Sequence, residues 1–141
     1  MKTILIACLL SLAASSAFAG RYGQTVGSDS KVVIADSVTS LQWTYDYSEG
    51  LPWKQALAYC EGLSYGGHSD WRLPIVNELR SLIYVSKVVP ASDFPNAGTG
   101  WYWSSSSYVV YADIAWVVDF GNGYVNRDDK SNFNTVRCVR P

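Results

Sequence analysis

Near the middle of the chain, Asp70-Trp71-Arg72-Leu73-Pro74 joins two stretches whose apolar residues recur at helical spacing. Before the junction, Trp53, Ala56, Leu57, Cys60 and Leu63 step by three and four, which places them along one helix face. Pro52 suits the first turn of that helix, and Gly62 or Gly66-Gly67 ends it. After the junction, Ile75, Val76, Leu79, Leu82 and Ile83 mark a second amphipathic helix with Pro74 at its start. Glu78 and Arg80 fall off that stripe and are read as solvated. A junction so dense in special residues is either a site or a hinge. A tight turn leaves backbone groups to satisfy, and arginine carries five donors for the task. The hinge reading is therefore preferred, with Trp71 in the core, Arg72 tying the turn down and Pro74 starting a helix.

The flanking segments have strand character. Lys31 to Ala35 is short and β-branched, and Leu41 to Tyr45 alternates apolar with polar, the period of a half-buried strand. Asp36 to Ser40 has turn chemistry between them, so a hairpin is expected there. Val88 to Gly100 reads as a long irregular loop, a segment type that often carries function. Trp101 to Ser104 and Ala112 to Phe120 read as strands, the second with Ile114, Trp116 and Val118 on one side. Gly121-Asn122-Gly123 is a hairpin turn and Tyr124 to Asn126 the return. Asn126 to Asn132 reads as a polar loop, and Phe133 to Val139 as one closing strand with Val136 and Cys138 on the same side. The order of elements predicts an α+β fold, two helices packed on a twisted antiparallel sheet.

The first nineteen residues have another character. Lys2, the apolar run Ile4 to Leu12 and Ala17-Phe18-Ala19 before Gly20 form a secretory signal with cleavage after Ala19. The apolar run is too short to serve as a spanning anchor, and Cys8 is discarded with the signal. Gly20 to Ser30 is polar and glycine-bearing, and is expected to be a loose lead. An exported chain of this size forms one domain with one core. It is periplasmic, at the cell surface or extracellular.

Removing Lys2 from the eleven Lys and Arg leaves ten against twelve Asp and Glu, with no basic cluster. That balance argues against a nucleic-acid partner. Cys60 and Cys138 then remain as two cysteines in an oxidising compartment, and most simply form one disulfide. In the chain-entropy picture that bridge contributes roughly 4 kcal/mol. A metal site or reactive thiol lacks company, because His68 is the single histidine and no Cys-x-x-Cys occurs.

These residues also carry a family pattern. Trp53 to Cys60, Gly66-Gly67 and Ser69-Asp70-Trp71-Arg72-Leu73-Pro74 resemble the core of a bacterial domain family named after the C-terminal domain of Lcl, a collagen-like adhesin. Trp103-Ser104-Ser105, Ala115 to Phe120, Gly123 and Val136-Arg137-Cys138-Val139-Arg140 continue the resemblance, which places residues 31–141 in one such domain. The resemblance implies a C-type-lectin-like fold, in which the first helix carries one cysteine and the last strand its partner. It further implies a binder of sulfated glycans, trimeric in the adhesin, which leaves a homo-oligomer open here. Members usually carry glycine in turns where this chain has Ser28-Asp29-Ser30 and Ser40. A capping Thr or Ser commonly follows the Arg-Leu-Pro, where this chain has Ile75.

Catalytic readings find little support. Ser104 to Ser107 lack a Gly-x-Ser-x-Gly setting, His68 has no nucleophile partner, and the enzymes sharing the fold need an active-site cysteine pair. A hydrolase stays a remote alternative. Asp113, Asp119, Asp128 and Asp129 do not show the spacing of a known calcium loop, so calcium is a minor alternative and no cofactor is expected. The aromatics are more telling, with six Trp and ten Tyr. Trp43, Trp53, Trp71, Trp103 and Trp116 are assigned to the core. Trp101, Tyr102, Tyr108, Tyr111 and Tyr124 are the rings left to line a ligand site. The expected binding residues are Tyr108, Tyr111, Tyr124, Asn126, Arg127 and Asp128. They would serve a lectin-like module recognising a glycan or cell-surface ligand, or alternatively an envelope protein–protein interaction or structural module.

Overall fold

A computed structural model describes residues 20–141. The signal-peptide reading and Cys8 lie outside the described residues. The hairpin expected near residue 36 is present: Val32–Asp36 (β2) pairs antiparallel with Leu41–Thr44 (β3). Asp36 builds the turn between them. Its carboxylate accepts the Val38 N–H at 3.0 Å and the Thr39 hydroxyl at 2.8 Å, while Ser40 takes a left-handed φ of 60°.

The expected loose lead is instead a strand. Tyr22–Val26 (β1) pairs along its whole length with β2. Two contacts hold it. Arg21 donates to both Asp36 oxygens, at 2.8 and 2.7 Å, and the Tyr22 ring meets Phe94 edge-on at 5.1 Å. The exposed Gln24 and Thr25 give this edge strand its loop-like sequence.

Two sheets form where one was expected. The first has the order β1-β2-β3-β9, with β9 (Val139–Arg140) at its edge. The second runs β4 (Ser48–Leu51), β8 (Asn134–Val136), β5 (Trp101–Ser107), β6 (Ile114–Asp119) and β7 (Val125–Asp129). All its pairings are antiparallel except β5 with β8, which is parallel. The segment Phe133 to Val139 is therefore not one strand. Arg137-Cys138 carries the chain from one sheet to the other. The polar residues Asn126 to Asp129 belong to β7 rather than to a loop, because they pair with β6 in continuous register.

Helix α1 (Trp53–Glu61) buries Ala56 and Cys60, with Trp53, Leu57 and Leu63 partly covered, the stripe read from spacing. Helix α2 is shorter, Val76–Ser81, with Leu82 as its C-terminal cap and Ile83 beyond it. The two helices lie on opposite faces of the second sheet. Trp103 and Val117 join α1 in one core cluster, while their strand neighbours Tyr102 and Val118 join α2 in the other. The disulfide Cys60–Cys138 ties α1 to the crossing between sheets, with a Cα–Cα distance of 5.5 Å.

The Asp70–Pro74 junction is tied into the fold. Pro74, however, stands before the cap of α2 rather than in its first turn, and Ile75, expected on the buried stripe, is the exposed cap itself. Trp71 and Leu73 are buried, and the Trp71 indole donates to the Tyr65 carbonyl at 3.0 Å. Arg72 exchanges two backbone hydrogen bonds of 2.9 Å with Val139, strapping the turn to β9. Glu78 is not solvated: both its oxygens receive the Arg72 guanidinium, and one also accepts the Ile75 N–H at 3.1 Å. It supplies the glutamate half of a capping box, while Ile75, with no side-chain acceptor, cannot supply the other half. The long loop 88–100 is packed rather than displayed, since Ala91, Ser92, Phe94 and Ala97 are all buried.

Arg137, part of the closing block of sequence, is fully buried with no carboxylate beside it. Its guanidinium donates to the Thr44 and Tyr45 carbonyls at 2.7 Å each, and to the Asn96 carbonyl. The rings of Phe94, Tyr47 and Tyr102 surround it at 4.8, 5.2 and 5.7 Å. Loss of water lowers its pKa, and the neighbouring tyrosines offset this only in part.

Candidate functional site

The β6–β7 hairpin is set by its turn. Asp119 accepts the Gly121 N–H at 2.7 Å and the Asn122 amide at 3.1 Å, and Gly123 sits at φ 80°. A side chain at Gly123 would also meet Ile83 at 2.9 Å, so glycine is required twice over. This turn fixes the register that places Trp116 opposite Arg127 and Ala115 opposite Asp128.

That register sorts the expected binding residues. Arg127 lies on the same sheet face as Trp116, and its guanidinium stacks over Tyr108 at 4.6 Å and Trp116 at 5.6 Å. Tyr108 meets Trp116 edge-on at 5.6 Å and Tyr111 at 6.1 Å. The rings hold the cation in place but give it no hydrogen-bond acceptor. The Arg127 guanidinium makes no hydrogen bond or ion pair with the other described residues, which leaves its five donors without a protein partner. Tyr108, Tyr111, Ile114, Arg127, Asp128 and Asp129 line a depression of about 280 Å³.

Asn126 and Asp128 alternate to the other face of β7. There they line a second depression of about 270 Å³ with Trp101, Val117, Asn134 and Arg127, so that Arg127 and Asp128 border both depressions. Asp128 is held by its neighbours: Asn132 and Asn134 donate to it at 2.7 Å each, and the Asp129 N–H at 2.9 Å. Asp129 receives the Ser131 hydroxyl and N–H, which hold its carboxyl below the usual range. Among the described residues, no group of three or more His, Cys, Asp or Glu side chains gathers as a metal site.

Tyr124 does not join either depression. It is exposed beside the Gly121–Gly123 turn, three residues from Arg127 and so about 10 Å along the strand.

Two assignments of the aromatics change. Trp116, read as core, is half-exposed and belongs to the Arg127 cluster. Its strand has both faces partly covered, and alternation alone does not say which set of residues faces the helices. Tyr102, read as a surface ring, is buried and donates to the Ala97 carbonyl at 2.8 Å. Trp103 is core as expected, its indole donating to the Leu51 carbonyl at 2.7 Å. Val109 and Val110, both exposed beside the cluster, were missed. The run Tyr108-Val109-Val110-Tyr111 between two strands was the available signal.

Fold and site define a small disulfide-bonded α+β module whose distinctive surface is a guanidinium held between aromatic rings. Residues 32–140 match the Lcl C-terminal domain, and the chain belongs to that family. No curated protein matches the sequence. No helix among the described residues is long and apolar enough to cross a membrane.

Proposed function

We propose that the protein is an exported, C-type-lectin-like binding module that recognises a glycan at the Tyr108–Tyr111–Trp116–Arg127 surface. The observation that carries this reading is the Arg127 guanidinium, stacked by two rings and without a hydrogen-bond partner among the described residues. Sugars present apolar C–H faces that pack on aromatic rings, and hydroxyl or acidic groups that accept hydrogen bonds. A guanidinium fixed between rings offers a two-pronged contact at little further cost in side-chain entropy. Carboxylated or sulfated sugars suit it best, and Asp128 and Asn126 on the same edge strand add polar contacts.

A glycan array with residues 20–141 tests the reading, run with and without calcium and at two salt levels. Capture of acidic glycans, weakened by salt and indifferent to a calcium chelator, is the expected outcome. Arg127→Ala should weaken it by about tenfold or more, the scale of a charged hydrogen bond. A blank array with recovery of a specific envelope protein would sink the glycan reading and favour a protein–protein module.

A further inference from the structure

The loop joining β5 to β6 is closed by the Tyr108 N–H to the Ile114 carbonyl at 2.8 Å and the Ile114 N–H to the Tyr111 carbonyl at 3.1 Å. At its apex Val109 is 95% exposed and Val110 61%. A valine that bare stands clear of its neighbours, so the two form a projecting tip rather than part of a flat patch. Specific protein interfaces are built on broad complementary surfaces. A projecting apolar tip suits the soft boundary between lipid headgroups and acyl chains.

The flanking residues agree with that occupant. Tyr108 and Tyr111 have apolar bodies and polar tips, the residue type that settles at the headgroup level. The unpartnered Arg127 guanidinium lies against Tyr108, where a lipid phosphate would stand. Charge selects among headgroups. Arg127 shares its depression with Asp128 and Asp129, and Lys130 is already committed to Ser107 and Ala112. A continuous anionic surface would meet those carboxylates as well as the guanidinium, unlike a single acidic group on a sugar, and so gains little net attraction. A zwitterionic headgroup can set its phosphate on Arg127 and its ammonium by the exposed Asp129.

We propose that the Tyr108–Tyr111 tip docks the module onto a zwitterionic phospholipid surface, with Val109 and Val110 entering the headgroup–acyl boundary. The docking is driven by apolar contact and changes little with salt. It goes beyond the glycan reading, which soluble sugars test in the absence of lipid.

Co-flotation of residues 20–141 with phosphatidylcholine–phosphatidylethanolamine vesicles is the test, at low and high salt. Residues 20–141 carry the whole described fold, and omitting the apolar run at residues 4–12 removes a segment that would itself partition into lipid. The protein should float at both salt levels, and Trp116, the indole in contact with Tyr108, should contribute a blue-shifted emission. Val109→Asp/Val110→Asp should reduce the bound fraction by about tenfold or more, with unchanged circular dichroism because both side chains are exposed. Failure of the folded protein to float overturns the proposal. So does a double variant that floats like the parent, or binding that needs phosphatidylglycerol and vanishes in salt. Association of the lipid-free protein into a dimer that the double variant abolishes would assign the tip to a second copy instead.

Discussion

Arg72 and Glu78 form a two-pronged ion pair, Nη1 to Oε2 at 2.8 Å and Nη2 to Oε1 at 2.7 Å. The same carboxylate caps the Ile75 N–H, so one side chain holds the hinge and starts α2. Glu78→Ala should lower stability by about 1–2 kcal/mol, the sum of a partly exposed pair and a cap. Glu78→Gln keeps an acceptor for the cap and should cost about half as much. Urea unfolding of the two variants checks the ranking, and equal losses would contradict it.

Asp36 makes stability depend on pH. Burial pushes its pKa upward, but the Arg21 guanidinium, the Thr39 hydroxyl and the Val38 N–H outweigh this and hold it below the usual carboxylate value. A group with a depressed folded pKa contributes stability above its unfolded value, near 4, and loses it as pH falls through the folded one. Asp36→Asn should destabilise the protein at neutral pH by about 3 kcal/mol, the scale of breaking a buried pair. The difference between parent and variant should shrink below pH ~4. Thermal melts across that range decide it, and a constant difference would remove Asp36 from the acid limb.

Arg137 serves three carbonyls from three places in the chain, at Thr44, Tyr45 and Asn96. Lysine keeps the charge but not the planar fork. Arg137→Lys should therefore cost about 2 kcal/mol or more and speed amide exchange across residues 91–98. Unchanged exchange in that segment would show that the loop is held by Phe94 and Ala97 alone.

Ser30 and Ser40 adopt φ of 62° and 60°, where a side chain is strained and glycine is not. Neither hydroxyl makes a hydrogen bond within the described residues. Ser40→Gly should raise stability by about 0.5 kcal/mol, the relief of strain less the added freedom of the unfolded chain. Calorimetry checks the sign, and a lower melting temperature would refute it.

Sequence exposed the parts of this fold that follow from local period and counting. The α1 stripe from Trp53 to Leu63, the β2–β3 hairpin and the Cys60–Cys138 pairing all rest on spacing or on there being two cysteines after Ala19. Other features depend on distant partners. Ser48-Glu49-Gly50-Leu51 has little strand character and becomes β4 because β8 pairs with it. Tyr22 to Val26 looks polar because that edge strand is covered only at Tyr22 and Gly23.

The candidate site was half legible for the same reason. Tyr108, Tyr111 and Arg127 were chosen as surface chemistry and do meet. Asp128 alternates to the other face of β7 yet borders their depression, whereas Asn126 does not, and the in–out choice in a polar edge strand is weakly written in its residues. Trp116 was assigned inward on an alternation that fits either face.

The crossing at Arg137-Cys138 has a consequence for how the chain reaches this state. β8 lies inside the second sheet, between β4 and β5, and β9 closes the first. Both come from residues 134–140, synthesised after every other element described. A growing chain therefore lacks an interior strand, the partner of its helix cysteine and the arginine that gathers Thr44, Tyr45 and Asn96. Most of its contacts wait on long loop closures, which slows folding. Such a chain cannot fold piecemeal from its beginning, and stays open until residues 134–140 are present.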